Sequence, residues 1–201
     1  MTAKKADKDS KKLREAEEYY QKGLEYGQRS DADGAIECWQ KTVELNPEHF
    51  DGWYNLGNAY YIGKGDHNKA FECWDKALEL KPDDIDVLYN IGNTYREIKE
   101  FDKALECYNK IVEIEPKDHE AWNNMANTYL FKGETDRAIE CWEKAVEIKP
   151  DKIETWFNLA LTYRKLKNYD LAIQCCQKVL DFRPDFSEGK RLMNTLKRES
   201  E

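Results

Sequence analysis

The sequence predicts an all-α fold of repeated helix pairs, and three periodicities predict it. Five prolines, Pro47, Pro82, Pro116, Pro150 and Pro184, follow one another at intervals of 35, 34, 34 and 34 residues. Alanine stands 12 residues before each of them, at Ala35, Ala70, Ala104, Ala138 and Ala172. Tyrosine keeps the same step at Tyr26, Tyr60, Tyr95, Tyr129 and Tyr163. A fixed period near 34 residues is one supersecondary unit repeated, and it overrides the one or two globular domains that length alone suggests.

Residues 1–15 come first. They hold six basic against three acidic side chains, a net +3, so the remainder carries −11 of the total −8. Such a composition predicts a solvated, flexible segment, with a helix starting near Ser10 and running into the first repeat. The repeats follow at 16–49, 50–84, 85–118, 119–152 and 153–186. Numbered from Ala16, Phe50, Ile85, His119 and Ile153, position 4 holds Tyr19, Trp53, Leu88, Trp122 and Trp156. Position 7 holds Lys22, Leu56, Ile91, Met125 and Leu159, and position 8 holds Gly23, Gly57, Gly92, Ala126 and Ala160. Offsets 4, 7, 8 and 11 share one helix face. The second half of each repeat is patterned alike, as in Ala35, Trp39 and Thr42 or Ala138, Trp142 and Ala145. A polar turn such as Lys132-Gly133-Glu134-Thr135-Asp136 separates the halves. Each proline closes a second helix, because it lacks an N–H and biases the preceding residue out of the α region. Repeat 2 has one extra residue near Gly63-Lys64-Gly65. After Pro184, Leu192 and Leu196 lie one helical turn apart among charges, which predicts a capping helix in 187–201 with Ser187 as its N-cap.

These residues resemble the tetratricopeptide repeat (TPR) family, whose pattern is W-x2-L-G-x2-Y, then A-x3-F, then P. The resemblance spans residues 16 to about 186 as five tandem repeats. It implies a right-handed superhelix, an α-solenoid of antiparallel helix pairs in which each repeat buries its apolar face on a neighbour. Two positions depart from the pattern. Lys22 replaces an apolar residue, which predicts an exposed first helix. Cys176 replaces an aromatic, which predicts thinner packing near the C-terminal end.

Cysteine recurs at position 23 as Cys38, Cys73, Cys107, Cys141 and Cys175, with Cys176 beside the last. Equivalent positions on stacked helices lie about 8–10 Å apart, too far for a disulfide or a shared zinc ion. Six reduced thiols, no bound metal and no cofactor are expected, in a reducing, cytoplasmic compartment. The acidic body argues against nucleic-acid binding, which depends on neutralising phosphates. No apolar run is long enough for a membrane span. His49, His67 and His119 are scattered, and no phosphate-binding glycine loop occurs, so the sequence predicts no enzyme.

The binding expectation rests on the resemblance. In TPR proteins, positions 2, 5, 6, 9, 12 and 13 line a concave groove. Here they carry an asparagine ladder of Asn55, Asn58, Asn90, Asn93, Asn123, Asn124, Asn127 and Asn158, with Tyr54 and Tyr89 at position 5. Asparagine amides offer donors and an acceptor to an extended backbone. Arg96 and Arg164 add basic groups at position 12, and Phe131 adds an apolar spot at position 13. Position 2 is acidic throughout, at Glu17, Asp51, Asp86, Glu120 and Glu154, which suits helix N-termini. The lysine and arginine set of the carboxylate-clamp subfamily is absent. The expected function is a non-enzymatic adaptor holding a protein or peptide segment in the groove. The alternatives are a self-assembling scaffold, with the basic head or an exposed terminal helix docking on another copy, and an accessory module that feeds clients to a separate chaperone or transferase.

Overall fold

The computed structural model describes residues 2–200, with side chains from residue 8 onward. Among the described residues all regular structure is helical. In chain order, α1 is Thr2–Gln28, α2 Ala32–Leu45 and α3 Phe50–Asn58, the last continuing as a π-helical turn over Ala59–Lys64. Then come α4 His67–Leu80, α5 Ile85–Glu97, α6 Phe101–Ile114, α7 His119–Lys132 and α8 Thr135–Ile148. The chain ends with α9 Ile153–Lys165, α10 Tyr169–Phe182 and α11 Ser187–Glu199. Odd and even helices pair antiparallel within each repeat. The chain divides into two compact bodies, one running to Ile91 and one starting at Gly92.

The repeat positions become contacts. Ala35, Ala70, Ala104, Ala138 and Ala172 are all buried where paired helices meet. In three repeats the position 4 tryptophan ties its helix to the preceding turn. Trp53, Trp122 and Trp156 donate Nε1–H to the carbonyls of Pro47, Pro116 and Pro150 at 2.9, 3.0 and 2.8 Å. Tryptophan and proline therefore recur together, the ring supplying a donor to a carbonyl at the end of a helix. Asp31, Asp66, Asp118 and Asn168 cap the following helices with side-chain oxygens.

Each turn inside a repeat contains one left-handed residue: Ser30, Gly65, Lys99, Gly133 and Lys167, with φ of 58°, 62°, 65°, 87° and 60°. Glycine adopts this conformation without strain, whereas lysine does not. Lys99→Gly and Lys167→Gly are each expected to raise stability by about 0.5–1 kcal/mol, the relieved strain less the entropy glycine loses on folding. Urea denaturation of the single variants measures this, and an unchanged or lower midpoint counts against it.

Three expectations need correction. Helix α1 starts at Thr2, upstream of Ser10. No glycine or proline precedes Gly23, and alanine, lysine, leucine, arginine and glutamate propagate the helix well. The extra residue of repeat 2 is absorbed by the π-helical turn within the first helix. Ser187 is the first residue of α11, whose N-cap is Phe186, and its hydroxyl donates to Glu188 at 2.8 Å. Packing at Cys176 is not thinned. Helix α11 lies over it, the side chain is fully buried, and its thiol donates to the Gly189 carbonyl at 3.2 Å.

All six cysteines are free thiols, and only Cys107 is half-exposed. Burial pushes the thiols of Cys73 and Cys175 up to about 12 and that of Cys141 up to about 11. The reactive thiolate is therefore scarce at neutral pH. Ellman titration of native protein is expected to consume Cys107 first and the other five only after denaturant is added. Rapid reaction of several native thiols would contradict this burial.

Candidate functional site

The first helices of the repeats, α1, α3, α5, α7 and α9, present the asparagine ladder. Its amides have two different roles. In the N-terminal body, Asn58 Oδ1 accepts from Trp74 Nε1 at 3.0 Å and from Asn90 Nδ2 at 2.8 Å. Asn55 Nδ2 donates to the Tyr20 hydroxyl at 3.2 Å. Tyr20 packs on His49 with ring centroids 4.7 Å apart. Burial, then the charge of Asp51, pushes its hydroxyl up. Tyr54 stacks on Phe50 at 6.2 Å, and Tyr89 is half-buried.

In the C-terminal body, Asn93 Oδ1 accepts from the buried Tyr108 hydroxyl at 2.7 Å. Burial pushes that hydroxyl up to about 12, so it stays a donor. Arg96 Nη1 donates to Asn124 Oδ1 at 3.2 Å, and Thr155 donates to Asn123 Oδ1 at 3.2 Å. Asn127 and Asn158 are half-buried and make no hydrogen bond among the described residues. The position 9 asparagine thus satisfies the aromatic at position 24 in two repeats. In repeat 1, position 9 is Leu24, and the buried Nε1 of Trp39 has no acceptor among the described residues. In repeat 4 the buried Nε1 of Trp142 has none either, although Asn127 occupies position 9.

Two further expected residues have partners that the sequence reading did not name. Arg164 is not a free cation. Its guanidinium grips Glu199 of α11 through Nε at 2.8 Å and Nη2 at 2.6 Å. Phe131 is 69% exposed and stacks on Phe101 at 6.2 Å. The sequence reading missed both partners, because neither Glu199 nor Phe101 occupies a groove position. It also missed Tyr20 and Thr155, whose hydroxyls pair with Asn55 and Asn123. Tyr20 carried a usable signal, since it shares position 5 with Tyr54 and Tyr89.

Two recesses adjoin the ladder. One of about 240 Å³ is lined by His119, Glu120, Asn123, Asn124, Lys152, Glu154 and Thr155. His119 has a buried Nε2 without a hydrogen-bond partner among the described residues. Burial, then Lys149 and Lys152, hold its pKa below 6.5. The unfolded chain therefore protonates first as pH falls. His119 should leave stability unaffected above pH 6.5 and subtract from it as pH drops toward the folded value. His119→Gln should flatten that acid-side loss in denaturation series across pH 7 to 5, and an unaltered slope would show that His119 does not drive it. The second recess, of about 430 Å³, lies where α1 and α2 face the π-helical turn. Among the described residues no group of three histidines, cysteines or acids is placed to hold a metal ion. No described helix is long and apolar enough to cross a membrane.

Comparison with known proteins gives a consistent answer. The tetratricopeptide repeat model matches residues 85–118, 119–152 and 153–186, and a second TPR repeat model matches 16–63 and 61–98. The uncharacterised protein MJ0572 of Methanocaldococcus jannaschii is 42% identical over 50 residues, 25% of this chain and 58% of that protein. The match thus spans less than two thirds of that relative. Among solved structures, MamA is 25% identical over 86% of this chain and 94% of its own, with a TM-score of 0.77. MamA of Desulfovibrio magneticus RS-1 is 21% identical over 86% and 97%, with a TM-score of 0.75. YrrB, described as a TPR protein with an unusual peptide-binding site, is 22% identical over 98% of both chains, with a TM-score of 0.72. These likenesses concern the fold. With models matching from residue 16 to 186 and the repeat contacts in place, the chain belongs to the tetratricopeptide repeat family.

Proposed function

We propose that the chain is a non-enzymatic adaptor that holds an extended segment of a protein partner on the face carrying the asparagine ladder. The supporting observation is the spare hydrogen-bonding capacity of that face: Asn127 and Asn158 keep donors and acceptors unused. Fold-level likeness alone would not identify a site. The buried thiols suit a reducing compartment such as the cytoplasm. The test uses peptides selected from a phage-displayed random library on the full chain. Replacing both Asn127 and Asn158 with alanine removes two ligand bonds of about 0.5–1.5 kcal/mol each, and should weaken the selected peptides about tenfold. Unchanged affinity would move the site off this face.

A second reading has its own observation. Helix α1 is 27 residues long against 14 for its partner α2, and residues 8–15 are all exposed, including Leu13 at 51%. Self-association would dock this basic projection on the acidic body of another copy. Such contacts are screened within about 8 Å at physiological salt. Sedimentation of the full chain and of a chain lacking residues 1–15, at low and high salt, tests it. A monomer in every condition rejects it.

A further inference from the structure

We infer that the recess at the π-helical turn is an uncharged side-chain pocket, which takes a large apolar residue of the bound segment. The inference rests on the groove reading above and adds a specificity element to it. The recess lies wholly within the N-terminal body. Its walls come from Gly27 at the end of α1, Ala32 and Ala35 of α2, and Asn55, Asn58 and Ala59 of the first helix of repeat 2. The Trp39 ring closes one side, and Ile62, 80% exposed, stands at the lip.

The extra residue of repeat 2 builds this place. The π-helical turn sets Gly63 against Ala32 so closely that a Cβ there would lie 2.5 Å from that of Ala32. Single-residue insertions absorbed as π-turns recur at functional sites, and this one leaves a large aliphatic side chain exposed beside a cavity.

Two arguments define the occupant. No lining side chain is ionised, so a charged group would lose hydration there without a counter-charge. The polar groups at the rim match a peptide unit. A tryptophan N–H can only donate, so the Trp74 bond fixes Asn58 with Oδ1 inward and leaves Nδ2 as an unused donor. Asn55 spends Nδ2 on Tyr20 and keeps Oδ1 as an unused acceptor. Donor and acceptor stand one helical turn apart, as the carbonyl and N–H of an extended segment require. A volume of about 430 Å³ admits a leucine, methionine or phenylalanine side chain together with part of its backbone.

The experiment selects nonapeptides from a phage-displayed random library on the full chain. The winners are then measured by isothermal titration against the parent, Ala59→Phe, Ile62→Ser and the Asn127/Asn158 double variant. Ala59→Phe fills the recess, and Ile62→Ser strips its lip without touching the core. The inference expects one enriched large apolar position and at least a tenfold loss of affinity in Ala59→Phe. It also expects a severalfold loss in Ile62→Ser and a shifted Trp39 indole resonance on peptide addition. Circular dichroism checks that Ala59→Phe is folded, and Ile62→Ser with the Trp39 resonance decides the matter if it is not. Peptides sensitive to the Asn127/Asn158 pair, but with no apolar preference and no response to either pocket variant, overturn this inference and leave the groove reading standing. Peptides insensitive to every variant overturn both.

Discussion

Trp74→Ala is expected to cost about 3–5 kcal/mol, the usual range for deleting a buried aromatic side chain. Trp74 is the largest fully buried side chain in the N-terminal body. Its indole lies on Gly57, where a Cβ would approach Cδ1 and Nε1 to 2.5 Å, so position 8 must stay small for the ring to seat. Tyr61 and Phe71 pack around it with centroids at 5.8 and 6.1 Å. Removing the ring leaves a cavity bounded by helices that cannot fully collapse onto it. Repeat arrays depend on nearest-neighbour contacts, so the damage should centre on α3 and α4. Urea denaturation followed by circular dichroism gives the magnitude, and amide exchange gives the location. A loss below about 1 kcal/mol, or protection lost uniformly along the chain, would show that Trp74 is not the keystone of its repeat.

The period of five prolines, alanines and tyrosines was enough to read the helix pairs and their order, because each recurring residue answers a local demand. Ala70 and Ala138 permit close approach, and Pro116 stops a helix while its carbonyl receives Trp122. What the sequence could not show was how partners combine across elements. Arg164 reads as a groove cation, and its partner Glu199, 35 residues away, could not be read from the repeat pattern. The extra residue of repeat 2 was visible in the spacing. Its absorption by a π-turn was not, since that depends on Gly63 meeting Ala32 on another helix. The N-terminal segment shows the reverse weakness. Its charge suggested a loose tail, while uninterrupted helix formers carry α1 back to Thr2.

Asn58→Ala and Asn127→Ala should behave differently although they occupy the same repeat position. The sequence presents both as ligand-binding amides of a regular ladder. In the structure Asn58 Oδ1 holds two donors, the indole N–H of Trp74 and the amide of Asn90. Its loss strands a donor on a fully buried ring, and an unsatisfied buried donor costs about 1–3 kcal/mol. Asn127 makes no hydrogen bond among the described residues, so its truncation should stay within about 0.5 kcal/mol. Asn93→Ala should also cost stability, because it removes the 2.7 Å bond made by the buried Tyr108 hydroxyl. Ligand binding should reverse the order per unit of stability lost: Asn127→Ala weakens a selected peptide in a fully folded protein, whereas Asn58→Ala loosens the fold first. Parallel urea denaturation and peptide titration of the three variants test the division. Equal stability losses at Asn58 and Asn127 would mean that the ladder is uniform after all, and that the bond to Trp74 does not secure the second repeat.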